Sequence, residues 1–147
     1  MAGADVRTCA HGGYRLEDQV GFYLRRAGQR HAAIFAERIT DELTPTQWAA
    51  LVKLAEFESL SQNLLGRETA MDAATIKGVV DRLLKRGFVA TAPDPEDGRR
   101  MRVSITRAGL AAVEQGVKAA TAITAETLKP LDAAERRQLV ELLRRIG

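Results

Sequence analysis

Arg99, Arg100 and Arg102 crowd together behind the turn-forming run Pro93-Asp94-Pro95-Glu96-Asp97-Gly98. Guanidinium groups gathered at a tip recognise anions, phosphate oxygens above all, because each presents a planar fork of donors. Asp97 suits a brace, its carboxylate pairing with the tip arginine and fixing it. A second set lies upstream: Ser61, Gln62 and Asn63, then Asp72, Ala74, Thr75, Lys77, Gly78 and Arg82. Hydroxyls, amides and cations are the groups that contact phosphates and base edges, while Ala74 and Gly78 have almost no side chain to hold a duplex away. The charge distribution agrees. All of the net +3 lies within Ser61–Arg107, which holds nine Lys/Arg against six Asp/Glu.

Catalytic chemistry finds less support. There is no Gly-rich phosphate loop and no Ser/His/Asp set, and the paired carboxylates Asp41-Glu42 fall at a helix end, where solvation explains them. One cysteine and two histidines allow neither an intrachain disulfide nor a Cys-rich zinc site. No enzyme, metal or cofactor is expected. No window approaches the roughly 18 apolar residues of a membrane span, and Met1–Gly13 lacks the basic start and apolar run of an export signal, so a cytoplasmic protein is expected.

The elements that must position these residues can be read from caps and periodicity. Residues 1–13 are small and polar and read as a mobile arm. From Leu16 to about Thr40, Val20, Tyr23, Leu24, Ala27, His31, Ile34, Phe35 and Ile39 recur in steps of three and four, marking a long amphipathic helix. Thr44, Pro45 and Gln47 start a second helix that carries Trp48, Leu51, Val52 and Ala55 inward. Leu60 and Ser61 open a short third helix. Asp72 caps a fourth, with a stripe of Ile76, Val79, Val80, Leu83 and Leu84 and a stop at Gly87. Phe88–Ala92 and Met101–Ile105 form a hairpin with a long charged tip. Thr106 caps a fifth helix that Pro130 ends, and Asp132 with Glu135 boxes a sixth.

The fold class is therefore mainly α with a small β-hairpin. A short capped helix, a tight turn and a longer helix is the arrangement that places the second helix in a major groove. Taking Ile76 as the buried centre and advancing about 100° per residue, the outward face receives Ala74, Gly78, Asp81 and Lys85, flanked by Thr75, Lys77 and Arg82. Taken alone, such a charged face is more often just solvated; helix pair, basic hairpin and local charge together point to double-stranded DNA. A protein-interaction module that never touches DNA is the competing reading, and steep salt dependence separates the two.

Leu43-Thr44-Pro45-Thr46-Gln47, Asp72-Ala73-Ala74-Thr75-Ile76, Val80-Asp81-Arg82-Leu83, Arg86-Gly87-Phe88-Val89, Asp94-Pro95-Glu96-Asp97-Gly98-Arg99-Arg100 and Ile105-Thr106-Arg107-Ala108-Gly109 follow in order. Over Leu43–Gly109 the chain thus resembles the MarR family of bacterial transcriptional regulators. The resemblance implies a winged helix-turn-helix whose fourth helix reads the major groove and whose wing reaches the minor groove. It also implies a homodimer, usually a repressor released by a small ligand or by oxidation. The DNA-binding lobe is then 43–106, with 14–42 and 107–147 as the dimerisation region. The apolar stripes of the outer helices, which a small lobe cannot cover, argue independently for a second copy. The run Ser61–Thr69 with Lys77–Leu83 looks most like members tied to aromatic-acid breakdown, so an aromatic acid or its CoA thioester is the expected effector.

Candidate ligand contacts are Arg26, Arg30, His31, Phe35 and Trp48. Arg26 and Arg30 share a helix face and suit a carboxylate or the phosphates of CoA; a solvated face or a Glu pairing across the dimer serves equally well. His31, Phe35 and Trp48 offer flat surface to a cavity, although core packing is the commoner role of each. Cys9 is the candidate for a redox sensor, with no basic neighbour fixed nearby to lower its pKa.

Overall fold

A computed structural model describes residues 12–147. The expected arm, apart from Gly12 and Gly13, and Cys9 with its redox reading lie outside the described residues. A 3-10 turn at Leu16–Asp18 precedes α1 (Val20–Arg38), and α2 (Pro45–Phe57) follows. Then come β1 (Ser59–Ser61), α3 (Gln62–Glu68), α4 (Ala73–Lys85), β2 (Val89–Pro93), β3 (Met101–Ile105), α5 (Arg107–Thr127) and α6 (Ala133–Ile146). The first helix is thus shorter at both ends than its apolar period suggested.

Side-chain caps set the helix starts. Thr44 and Gln47 form a reciprocal capping box on α2, and Asp132 with Glu135 forms another on α6. Ser61, Asp72 and Thr106 each accept from a backbone N–H in the first turn of α3, α4 and α5. At the far end of α4, Gly87 takes φ 73°. The Gly87 and Phe88 N–H groups turn back onto the Leu84 and Leu83 carbonyls at 3.0 Å each. The chain can therefore leave the helix straight into β2.

The hairpin gains a strand that the sequence did not announce. β1 pairs antiparallel with β3, Leu60 facing Val103, giving the order β1-β3-β2. Leu60 and Val103 both enter a core built from Leu51, Leu54, Leu65, Ile76, Val79, Val80, Leu83 and Val89. This core fixes α3 and α4 against the sheet. The outer helices are different: α1 buries only Phe35, and α6 buries none of its residues. Among the described residues no helix is long and apolar enough to cross a membrane.

Candidate nucleic-acid interface

Ser61 ends β1 and caps α3, its Oγ accepting from the Leu64 N–H at 3.2 Å. That bond orients the first turn, where Gln62 is half-buried and Asn63 exposed. In α4 the Asp72 carboxylate accepts from the Thr75 N–H at 2.7 Å. That bond holds the Asp72 pKa below its ordinary 3.8, so the cap is ionised at neutral pH. Ile76, Val79, Val80 and Leu83 are buried, which turns Ala74, Thr75, Lys77, Asp81 and Arg82 to solvent. Gly78 lies among them. A Cβ there would meet only the Arg82 guanidinium, at 3.8 Å. Lys77 reaches Asp81 at 2.9 Å, both side chains more than half exposed, so the helix carries a solvated ion pair rather than a lone cation.

At the wing the Asp97 carboxylate accepts from the Arg99 N–H at 3.0 Å and meets the Arg100 Nε at 3.5 Å. It thus grips the backbone at Arg99 and the side chain of Arg100, and it leaves the Arg99 guanidinium without an ion pair among the described residues. Arg102 is turned toward the sheet. Its guanidinium faces Asp94 at 3.7 Å and the Ser59 carbonyl at 3.5 Å, so it supports the hairpin base.

One cleft of about 200 Å³ is lined by Ser61, Gln62, Asn63, Arg99, Arg100 and Met101. The start of α3 and the wing tip, far apart in sequence, therefore form one surface. Met101 is the member that sequence reasoning missed: the sequence marks it only as the first residue of a strand, yet at the end of β3 next to the tip it is 43% exposed.

The five candidate ligand contacts do not gather in the same way. Arg30 donates to the Thr127 and Glu126 carbonyls at 2.6 and 3.0 Å at the end of α5, where the Glu126 carbonyl also accepts from the Lys129 N–H at 3.3 Å. His31 bonds Thr127 Oγ1 through Nδ1 at 2.9 Å, and its ring centre lies 6.3 Å from that of the buried Phe35. Arg26 covers the Phe22 ring at 5.5 Å. Trp48 packs on Gly116 and lines a separate groove of about 320 Å³ with Val52, Val113, Val117, Ala120, Thr121 and Thr124. Arg26, Arg30, His31 and Phe35 are not among the residues lining that groove.

Residues 41–100 match the model of the MarR family. Over 134 residues the chain is 39% identical to the HTH-type transcriptional repressor NicR of Pseudomonas putida, covering 90% of this chain and 85% of that one. The chain belongs to the MarR family. Two solved structures extend the likeness to three dimensions. A probable transcriptional regulator from Pseudomonas aeruginosa is 56% identical, with a TM-score of 0.87 over 90% of this chain and all 100% of that one. Bordetella bronchiseptica BpsR, whose structure concerns regulation of its DNA binding by 6-hydroxynicotinic acid, is 41% identical. It matches with a TM-score of 0.87 over 92% of this chain and 97% of its own. This MarR-family chain is a DNA-binding transcriptional regulator, and its helix pair and three-stranded sheet form the winged helix-turn-helix.

Proposed function

We propose that the chain is a homodimeric repressor, with no catalytic activity, that acts in the cytoplasm on a pseudo-palindromic operator and is released by a small aromatic carboxylic acid or its CoA thioester. In this reading α4 enters the major groove, where Thr75, Lys77 and Arg82 reach phosphates and base edges while Ala74 and Gly78 let the duplex come close. Ser61, Gln62 and Asn63 bind backbone phosphates, Arg99 enters the minor groove, and Arg100 supports it.

The observation that carries the DNA-contact assignment is the cleft shared by the start of α3 and the wing, which joins Ser61, Gln62 and Asn63 to Arg99 and Arg100. Dimerisation draws support from apolar side chains left exposed: Val20, Tyr23 and Leu24 on α1, Val117 on α5, and Val140, Leu142, Leu143 and Ile146 on α6. A second copy covers them. The effector class draws on BpsR and its regulation by 6-hydroxynicotinic acid, and the Trp48 groove offers a flat apolar wall for one ring.

The test is thermal unfolding with 6-hydroxynicotinate, benzoate and benzoyl-CoA, repeated with DNA bound. An effector should raise the midpoint of the free protein, by about 2.7 kcal/mol of stabilisation at a hundredfold excess over Kd. It should also displace the duplex. Stabilisation without displacement rejects the release mechanism, and no response to any of the three rejects the effector class.

A further inference from the structure

Between α1 and α2 the chain turns through an elbow, Thr40–Glu42, where several unusual features coincide. Asp41 and Glu42 both hold left-handed backbone angles, φ 57° and 51°. Residues with a Cβ avoid that region, and a consecutive pair persists only when something else holds it. Next to them, Thr40 Oγ1 is the one buried side-chain oxygen among the described residues without a hydrogen-bond partner.

The holding group comes from 45 residues further along the chain. Arg86, the C-cap residue of α4, donates its Nη2 to the Asp41 carbonyl, and its guanidinium lies over the Phe88 ring at 4.7 Å. Phe88 in turn packs on the core that carries the buried face of α4. The stack restrains the guanidinium on one side and the carbonyl restrains it on another. The rear end of the reading helix is thereby tied to the bend that links the DNA-binding lobe to α1.

We propose that Arg86 is a positioning residue for DNA recognition: it acts through the strained elbow to set the angle at which α4 meets the duplex, and it touches no phosphate itself. The proposal rests on the reading of α4 as the helix that enters the groove. Two consequences follow. Losing Arg86 weakens binding to a specific duplex without changing how many phosphates are neutralised. Loosening the elbow, by contrast, makes Arg86 redundant.

The experiment begins with a duplex selected from a randomised pool by the unsubstituted protein. Affinity is then measured across a salt series for Arg86→Gln, Arg86→Lys, Asp41→Gly and the double variant Arg86→Gln/Asp41→Gly. Arg86→Gln should bind about tenfold more weakly, the scale of one charge-assisted hydrogen bond. Its slope of log K against log salt should be unchanged, and Arg86→Lys, which keeps a cationic donor, should recover part of the loss. In the Asp41→Gly background the same substitution should cost much less, because the two act through one contact. A slope shallower by about one for Arg86→Gln identifies a phosphate contact and overturns the proposal. So do strictly additive effects, or wild-type affinity. A pool from which the unsubstituted protein selects nothing overturns the DNA-reading role of α4 as well, so the two failures are distinguishable.

Discussion

Gly78→Ala adds one methyl group to the outward face of α4 and should push stability and function in opposite directions. Gly78 is inside the helix, and a Cβ built there has no neighbour closer than the Arg82 guanidinium at 3.8 Å, an ordinary contact. The free protein therefore accepts the methyl without strain. Replacing glycine by alanine in a helix interior gains about 0.8–1 kcal/mol, which for a chain of this size raises the melting midpoint by roughly 2–4 °C. The duplex is affected differently. If it approaches α4 as closely as the small residues permit, the methyl overpacks that contact at about 1–3 kcal/mol in each half-site. The dimer meets that cost twice, so affinity falls by at least about thirtyfold. Calorimetry on the free protein and fluorescence anisotropy on a labelled operator measure the two effects independently. Higher stability with unchanged or tighter DNA binding would refute the reasoning, because the groove could not then lie against Gly78.

Arg99→Ala should weaken operator binding by about 1–3 kcal/mol with the melting midpoint unchanged, since its guanidinium has no ion pair among the described residues; wild-type affinity in anisotropy would remove Arg99 from the interface. Gly109→Ala should destabilise by about 3 kcal/mol or more in urea unfolding, because its Cβ would sit 2.1 Å from the Phe88 carbonyl oxygen, which has no rotamer to escape into. Gly116→Ala should cost less, since the Trp48 ring it meets at 2.5 Å can slide along its groove. For Asp72 the folded pKa lies below 3.8, so the cap contributes in full above that value and its contribution disappears as pH falls through the lowered one. Asp72→Asn still presents a cap oxygen but does not titrate. Acid unfolding followed by circular dichroism should therefore separate the two proteins only on the acid side, and parallel curves would refute the assignment.

The features legible from sequence were those that neighbouring residues determine. A cap and its helix are a few positions apart, so Thr44 with Gln47, Asp72, Thr106, and Asp132 with Glu135 announced their helices, and Gly87 announced the end of α4. The charged hairpin tip was equally local. What escaped depends on distant partners. Ser59–Ser61 carries one apolar residue between two serines, too little alternation to signal a strand; it becomes one because β3 offers an open edge and Leu60 meets Val103. The elbow at Asp41–Glu42 has no glycine or asparagine to mark its backbone, and the group that holds it, Arg86, comes from the end of α4. Asp97 was identified as a brace from proximity alone, but backbone geometry decides that Arg100 receives the ion pair while Arg99 contributes its N–H. In the same way Arg30 looked available for an anion until the end of α5 was placed beside it, where the Glu126 and Thr127 carbonyls take its guanidinium.

The central claim is that two copies of one winged helix-turn-helix hold a single duplex by phosphate contacts. Equilibrium binding of a selected operator duplex across a salt series, with stoichiometry measured under the same conditions, tests it directly. The account predicts two chains per duplex and a log–log slope steep enough to represent several released counterions. One chain per duplex, or an affinity that does not respond to salt, would contradict it.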